Sequence, residues 1–152
     1  MNIAFFLIPK SKVVFLYDDC TVRQGLEKLR HHGYTAIPVI SRDNKYVGSV
    51  SQGDFLWYLA DGKRPLKKAD LTQVDDVPLT AVLNRDKNLP VGITSSIEDL
   101  VISSINQNFV PVVDDLNNFI GIVTRSDILK YYYSSTDNIN IDPAFIQITS
   151  KA

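Results

Sequence analysis

Among 152 residues the chain has one cysteine, Cys20, and two histidines, His31 and His32. A single cysteine excludes an intrachain disulfide and a cysteine-built metal cluster, and it fits a reducing compartment, expected here to be the cytoplasm. Cys20 itself reads as a partly buried structural residue or, more sharply, a reactive thiol. The histidines are adjacent at the end of a helical pattern, so they lack the i, i+4 spacing of a helical metal pair. No metal is expected. Charge of one sign is missing too: 16 Lys and Arg against 17 Asp and Glu leave a net charge of −1, and no run of like charge reaches the length of a basic arm or acidic tail. A broad nucleic-acid surface needs concentrated positive charge, so no nucleic-acid partner is expected, although a local phosphate pocket remains open.

Long apolar runs are absent at the start of the chain, where Ile3–Ile8 is too short to span a membrane and has neither a basic region before it nor a small-residue cleavage site after it. It reads as a packing helix, and no membrane partner is expected. There is no Ser–His–Asp arrangement, Gly-x-x-x-x-Gly-Lys loop or Gly-rich dinucleotide loop, and no acid pair stands out. No catalytic residue is expected. What is present is an ordinary globular composition, 45% hydrophobic and 22% charged, in a chain long enough to bury roughly 68–70% of its unfolded surface.

The strongest positive signal is internal repetition. Gly33-Tyr34-Thr35-Ala36-Ile37-Pro38-Val39-Ile40 is answered by Asn108-Phe109-Val110-Pro111-Val112-Val113, and Pro38 precedes Pro111 by 73 positions. Gly48, Ser51 and Asp54 keep the same offset of 73 to Gly121, Thr124 and Asp127. The first copy predicts a helix from the N-cap Thr21 through Val22, Leu26 and Leu29 to Gly33. Two strands, 36–40 and 46–50, flank the turn Arg42-Asp43-Asn44, and a second helix covers 52–59. The second copy predicts a helix carrying Ile97, Leu100, Val101 and Ile105, strands near 109–113 and 118–123, and a helix over 125–132. Its first helix reaches the Pro-Val strand about two residues sooner. The expected organisation is a repeat over 1–62, a linker over 63–76, a repeat over 77–133 and a tail over 134–152, with an unassigned apolar stretch at Phe145-Ile146.

Ser51-Gln52-Gly53-Asp54 and Thr124-Arg125-Ser126-Asp127 each follow a strand and open a helix. Such a motif serves as a capping box, the hydroxyl and carboxylate satisfying free backbone amides. The same helix end suits a phosphate, and a carboxylate one turn in suits a ribose diol. Both readings stay open on spacing alone. Aromatic residues at the helix ends, Trp57, Tyr58 and Tyr131–Tyr133, suit core packing or a dimer interface.

The duplicated Gly-x-Val-Ser/Thr-x-x-Asp segments, each after a Pro-Val strand, resemble the closing segments of cystathionine-β-synthase (CBS) domains, and residues 1–133 resemble a tandem CBS pair, or Bateman module. The resemblance implies a mixed α/β (α+β) fold of two β-α-β-β-α repeats with pseudo-two-fold symmetry, packed through their sheets. It implies a non-catalytic regulatory sensor that takes AMP, ADP, ATP or cyclic di-AMP between the repeats, with no other cofactor. It also implies a homodimer and an effector protein in trans, since no effector domain is seen here. A first cleft would use Tyr34, Thr35 and Ala36 with Thr124, Arg125, Ser126 and Asp127, Tyr34 stacking on a base and Arg125 meeting phosphate. A second would use Ser51 and Asp54 with Gln107, Asn108 and Phe109, and, lacking a basic neighbour, would bind weakly or stay empty. Pro9 and Lys12–Val14 fall in the family's leading strand. Phe6–Pro9 and Gly33–Pro38 further resemble small stand-alone CBS proteins of Gram-positive bacteria, which brings in cyclic di-AMP. The rival reading is a ligand-free protein-interaction or dimerisation module.

Overall fold

In the computed structural model, residues 2–60 and 75–135 are described. Most of the expected linker and tail, including Phe145-Ile146, lies outside them. The elements run β1 (Ile8–Pro9), β2 (Leu16–Tyr17), α1 (Val22–His32), β3 (Ala36–Ile40), β4 (Tyr46–Ser51), α2 (Gln52–Leu59), β5 (Val91–Gly92), α3 (Ile97–Asn106), β6 (Phe109–Val113), β7 (Phe119–Thr124) and α4 (Arg125–Ser135). They form two sheets, ordered β2-β3-β4 and β1-β7-β6-β5.

Local chemistry explains the boundaries. Thr21 caps α1 by accepting from the Gln24 amide while the Gln24 side chain accepts from the Thr21 amide, and Gly33 ends the helix at φ 67°, a left-handed conformation that glycine adopts without a Cβ penalty. Ser96 caps α3. In both sheets an antiparallel hairpin joins the last two strands of the repeat, and the first strand lies parallel to the middle one. The second helix reading needs one correction: Ile105 is 67% exposed, and Ser104 is buried in its stead with its hydroxyl bonded to the Val101 carbonyl.

Two hydrophobic cores form, and each borrows a segment from the other half of the chain. Leu79 and Val82, which follow the linker, are buried in the first core with Leu16, Val22 and Phe55. Ile3 and Phe6, from the N-terminus, are buried in the second with Leu100, Val112 and Ile128. A short 3-10 turn carries each arm, Ile3–Phe5 and Leu79–Ala81. The expected packing helix at Ile3–Ile8 is therefore replaced by one 3-10 turn and strand β1. Pro9 holds Ile8 extended, and Ile8 pairs with Ile122 of β7. In the same way Asn84 exchanges both backbone hydrogen bonds with Ser49 of β4.

The arms explain two glycines that the repeat preserves. A Cβ on Gly48 would stand 2.5 Å from the Asn84 carbonyl oxygen, and one on Gly121 would collide with the Ile8 carbonyl. Each glycine lets an arm's backbone pass.

The hairpin turns also meet across the pseudo-two-fold. Asn44 and Asn117, 73 positions apart, both take positive φ, at 64° and 63°. The Phe119 amide donates to the Asn44 carbonyl, and Lys45 Nζ donates to the Leu116 carbonyl and to Asn118 Oδ1. Lys45 faces Asn118, its own counterpart, so the axis passes between them. The second turn is held by Asp114, whose carboxylate accepts from the Asn118 side chain and from the amides of Asn118 and Leu116. These bonds, the Asn118 side chain foremost, keep its pKa below the usual value of 3.8. A depressed carboxylate contributes stability above its unfolded pKa, near 4, and loses it as pH falls through the folded value. Asp114→Asn is expected to remove part of the acid-side slope, as measured by thermal unfolding between about pH 5 and pH 2.

Candidate nucleotide cleft between the repeats

A cleft of 770 Å³ lies between the repeats, within the roughly 300–1,000 Å³ range of small-molecule sites. Thr35, Ala36 and Ser51–Gly53 contribute from the first repeat, and Asp86–Leu89, Ile102, Ser103 and Asn106–Asn108 from the second half. The β3–β4 register sets Ala36 against Ser51, which brings the base-lining segment beside the closing motif. The short helix-to-strand turn after α3 carries Gln107 and Asn108 to the opposite wall. Ser51, Gln107 and Asn108 of the expected second cleft thus meet here, with Thr35 and Ala36 of the expected first.

The remaining residues of that second set stand behind the wall. Asp54 completes the capping box of α2: its Oδ2 accepts from the Ser51 amide at 2.8 Å and from the Ser51 hydroxyl at 2.9 Å. Phe109 is buried, with its carbonyl accepting from the Asn88 side chain. The closing motif Ser51-Gln52-Gly53-Asp54 supplies no cation of its own, and Lys87, from the second half of the chain, lines the cleft in addition. It was missed because it precedes the second repeat's strands and lies far from Ser51 in sequence; the turn-rich run Asn84-Arg85-Asp86-Lys87-Asn88 was the available signal. Gln107 Oε1 is buried and meets no hydrogen-bond donor among the described residues, an acceptor that calls for a partner.

Thr124, Arg125, Ser126 and Asp127 do not line this cleft; they occupy the pseudo-symmetric position at the start of α4. There Thr124 Oγ1 donates to Asp127 Oδ2 at 2.7 Å and accepts from the Asp127 amide. Arg125 Nε donates to the carbonyls of Ser104 and Gln107 at 2.8 and 3.2 Å, fastening the end of α3. Gln52 does the same in the first repeat, its side chain donating to the Tyr34 carbonyl. Tyr34 is exposed, and its ring stacks on His32 at a 5.3 Å centroid distance. Pro9 lies in β1, while Lys10–Lys12 forms a 3-10 turn and Val13 and Val14 lie outside any strand.

Elsewhere, Cys20 is half-buried, and burial is the main cause that raises its thiol pKa. That keeps it protonated and poorly nucleophilic. No group of three or more metal-ligating side chains occurs among the described residues, and no described helix is long and apolar enough to cross a membrane. The end-of-helix aromatics divide by position: Tyr58 and Tyr131 pack against the two cores, whereas Trp57 is 73% exposed and Leu56 and its counterpart Leu129 face outward.

Comparison with known proteins fits this geometry. The CBS domain family matches residues 7–61 and 79–134, and the chain belongs to that family as a tandem pair. Among solved structures it is similar to CbpB in complex with c-di-AMP, at 25% identity with a TM-score of 0.77 over 88% of this chain and 85% of that one. CbpB from Streptococcus agalactiae gives 26% identity and a TM-score of 0.75 over 93% and 88%. In sequence it is 31% identical over 120 residues to the A-adding tRNA nucleotidyltransferase of Aquifex aeolicus, covering 76% of this chain and 12% of that enzyme. The same module thus occurs in small proteins and as a minor part of a long one.

Proposed function

We propose that the chain is a non-catalytic regulatory sensor that binds an adenine nucleotide between its CBS repeats and passes its occupancy to a partner protein. The observation that carries the reading is the cleft itself: 770 Å³ between the repeats, lined by Ser51, the helix end at Gln52–Gly53, Lys87 and Gln107. A helix N-terminus and one cation suit phosphate. The likeness to a c-di-AMP complex at 25% identity makes c-di-AMP the first candidate, with AMP, ADP and ATP beside it.

By pseudo-symmetry the Thr124–Asp127 set, with Tyr34 as the counterpart of Gln107, forms a second candidate cleft. Gly53 and Ser126 are equivalent positions, 73 apart, in the first turns of α2 and α4. A Cβ at Gly53 meets nothing closer than Ser51 Oγ at 3.6 Å, and Gly53 lines the cleft, so a tryptophan there is expected to narrow it. Thermal-shift measurements against the four nucleotides identify the ligand, since saturation at 100 times Kd raises stability by about 2.7 kcal/mol. Repeating them on Gly53→Trp and Ser126→Trp assigns the cleft. Loss of the shift in one variant and not the other is the expected outcome; an undiminished shift in both overturns the inter-repeat site.

We further propose that two copies pair through the outward apolar residues Leu56, Trp57, Leu129 and Tyr132. Ligand signalling then requires different affinity for two arrangements of the module or its partner complex. Sedimentation at tens of micromolar showing only a 17.1 kDa species contradicts the dimer.

A further inference from the structure

We infer that Asn88 is a positioning residue that pins the two repeats together across one side of the 770 Å³ cleft and fixes the spacing of its walls. The inference deepens the nucleotide-cleft reading and rests on it for the ligand, though not for the pin. Asn88 lines the cleft, yet both polar ends of its side chain are engaged by protein. Its Oδ1 accepts from Ser49 Oγ at 3.0 Å, on β4 of the first repeat, and its Nδ2 donates to the Phe109 carbonyl at 2.9 Å, on β6 of the second. A third bond ties its backbone, whose carbonyl accepts from the Tyr46 hydroxyl at 2.6 Å. One residue therefore ties β4 of the first sheet to β6 of the second.

The surroundings make the pin hard to release. Ser49 is 2% exposed, and Tyr46 is buried enough to push its hydroxyl pKa well above the usual value. Without the Asn88 side chain the buried Ser49 hydroxyl loses its acceptor and the Phe109 carbonyl its donor, a costly state away from water, while the Tyr46 bond to the backbone carbonyl remains. Asn88 also holds φ at 52°, a left-handed conformation that asparagine tolerates better than most residues. No such pin can form at the pseudo-symmetric place, because Tyr46 and Ser49 are answered 73 positions on by Phe119 and Ile122. The duplication is symmetric in backbone and asymmetric in this lock.

The test compares wild type with Asn88→Ala, with Tyr46→Phe, which removes one hydroxyl and keeps the ring, and with Val22→Ala, which weakens the first core away from the cleft. Amide hydrogen exchange is followed at Ser49 and Asn84, whose reciprocal bonds lie beside the pin, and c-di-AMP affinity is measured by calorimetry. Expected for Asn88→Ala is exchange at least tenfold faster at these amides and affinity at least tenfold weaker; Tyr46→Phe moves both in the same direction by less. Val22→Ala lowers the melting temperature without changing Kd. Unchanged exchange in both Asn88→Ala and Tyr46→Phe overturns the pin. Faster exchange in a protein whose wild type binds no nucleotide keeps the pin and removes the ligand. Faster exchange with unchanged affinity in Asn88→Ala overturns the positioning role.

Discussion

Phe55→Ala is expected to lower the melting temperature of this protein by about 10 °C, corresponding to about 3–5 kcal/mol for a buried phenylalanine truncated to alanine. Phe55 is buried on α2, and its ring end would lie 3.0 Å from a Cβ placed on Gly25 in the middle of α1, with Leu79 Cδ1 at 2.9 Å from the same point. Glycine within a helix costs stability relative to alanine, so its presence there is explained by the ring and the arm residue that press on the helix. The second repeat solves the same problem with different volumes. Ile128 stands where Phe55 does, 73 positions on, and Leu100 occupies the place of Gly25 one turn after the helix cap. A large residue over a small one is exchanged for two of medium size. Gly25→Leu is accordingly expected to destabilise when Phe55 is present and to recover much of the loss when combined with Phe55→Ile. Equal loss in the single and double variants, followed by thermal unfolding, rules out this compensation.

Gly121→Ala is the second change expected to be severe. The added methyl would strike the Ile8 carbonyl and stand 2.8 Å from Leu7 Cδ1, so β1 must move off β7. Ile3 and Phe6 then lose their place in the second core, and Phe6 loses its edge contact with Tyr131 at 5.3 Å. Overpacking of this kind costs about 1–3 kcal/mol, and the upper end is expected because the obstacle is backbone. Limited proteolysis provides the local readout, with cleavage near Leu7–Lys12 appearing in the variant and absent in wild type. Resistance equal to wild type removes the argument for a docked arm.

The physical reasons behind these effects separate what was legible in the repeat from what was not. The helix caps at Thr21 and Ser51, the turn at Asn44 and the strand pairs around Pro38 and Pro111 depend on neighbours within a few positions, so the sequence pattern exposes them. Gly48 and Gly121 were visible as preserved residues, but their cause lies in arms that come from the far half of the chain. Ile3–Ile8 looked like a helix because its apolar run has no period to decide otherwise; pairing with β7 decides it. Ile105 fits a helical stripe on paper, but α3 turns Ser104 inward. In the site, the closing motifs and the base-lining segments were readable as a duplicated pattern. Lys87 and Asn88 carry no motif, and they join the cleft only because the chain crosses back between the repeats before β5.

A calorimetric titration of c-di-AMP into the wild-type chain, beside the double variant Gly53→Trp/Ser126→Trp, tests the account most directly. The prediction is saturable binding by wild type well below a Kd of about 1 mM, equivalent to about −4 kcal/mol, and no detectable binding by a double variant that melts at the wild-type temperature. Equal affinity in wild type and the folded double variant, or no binding to wild type by c-di-AMP, AMP, ADP or ATP below that limit, contradicts a nucleotide site between the repeats.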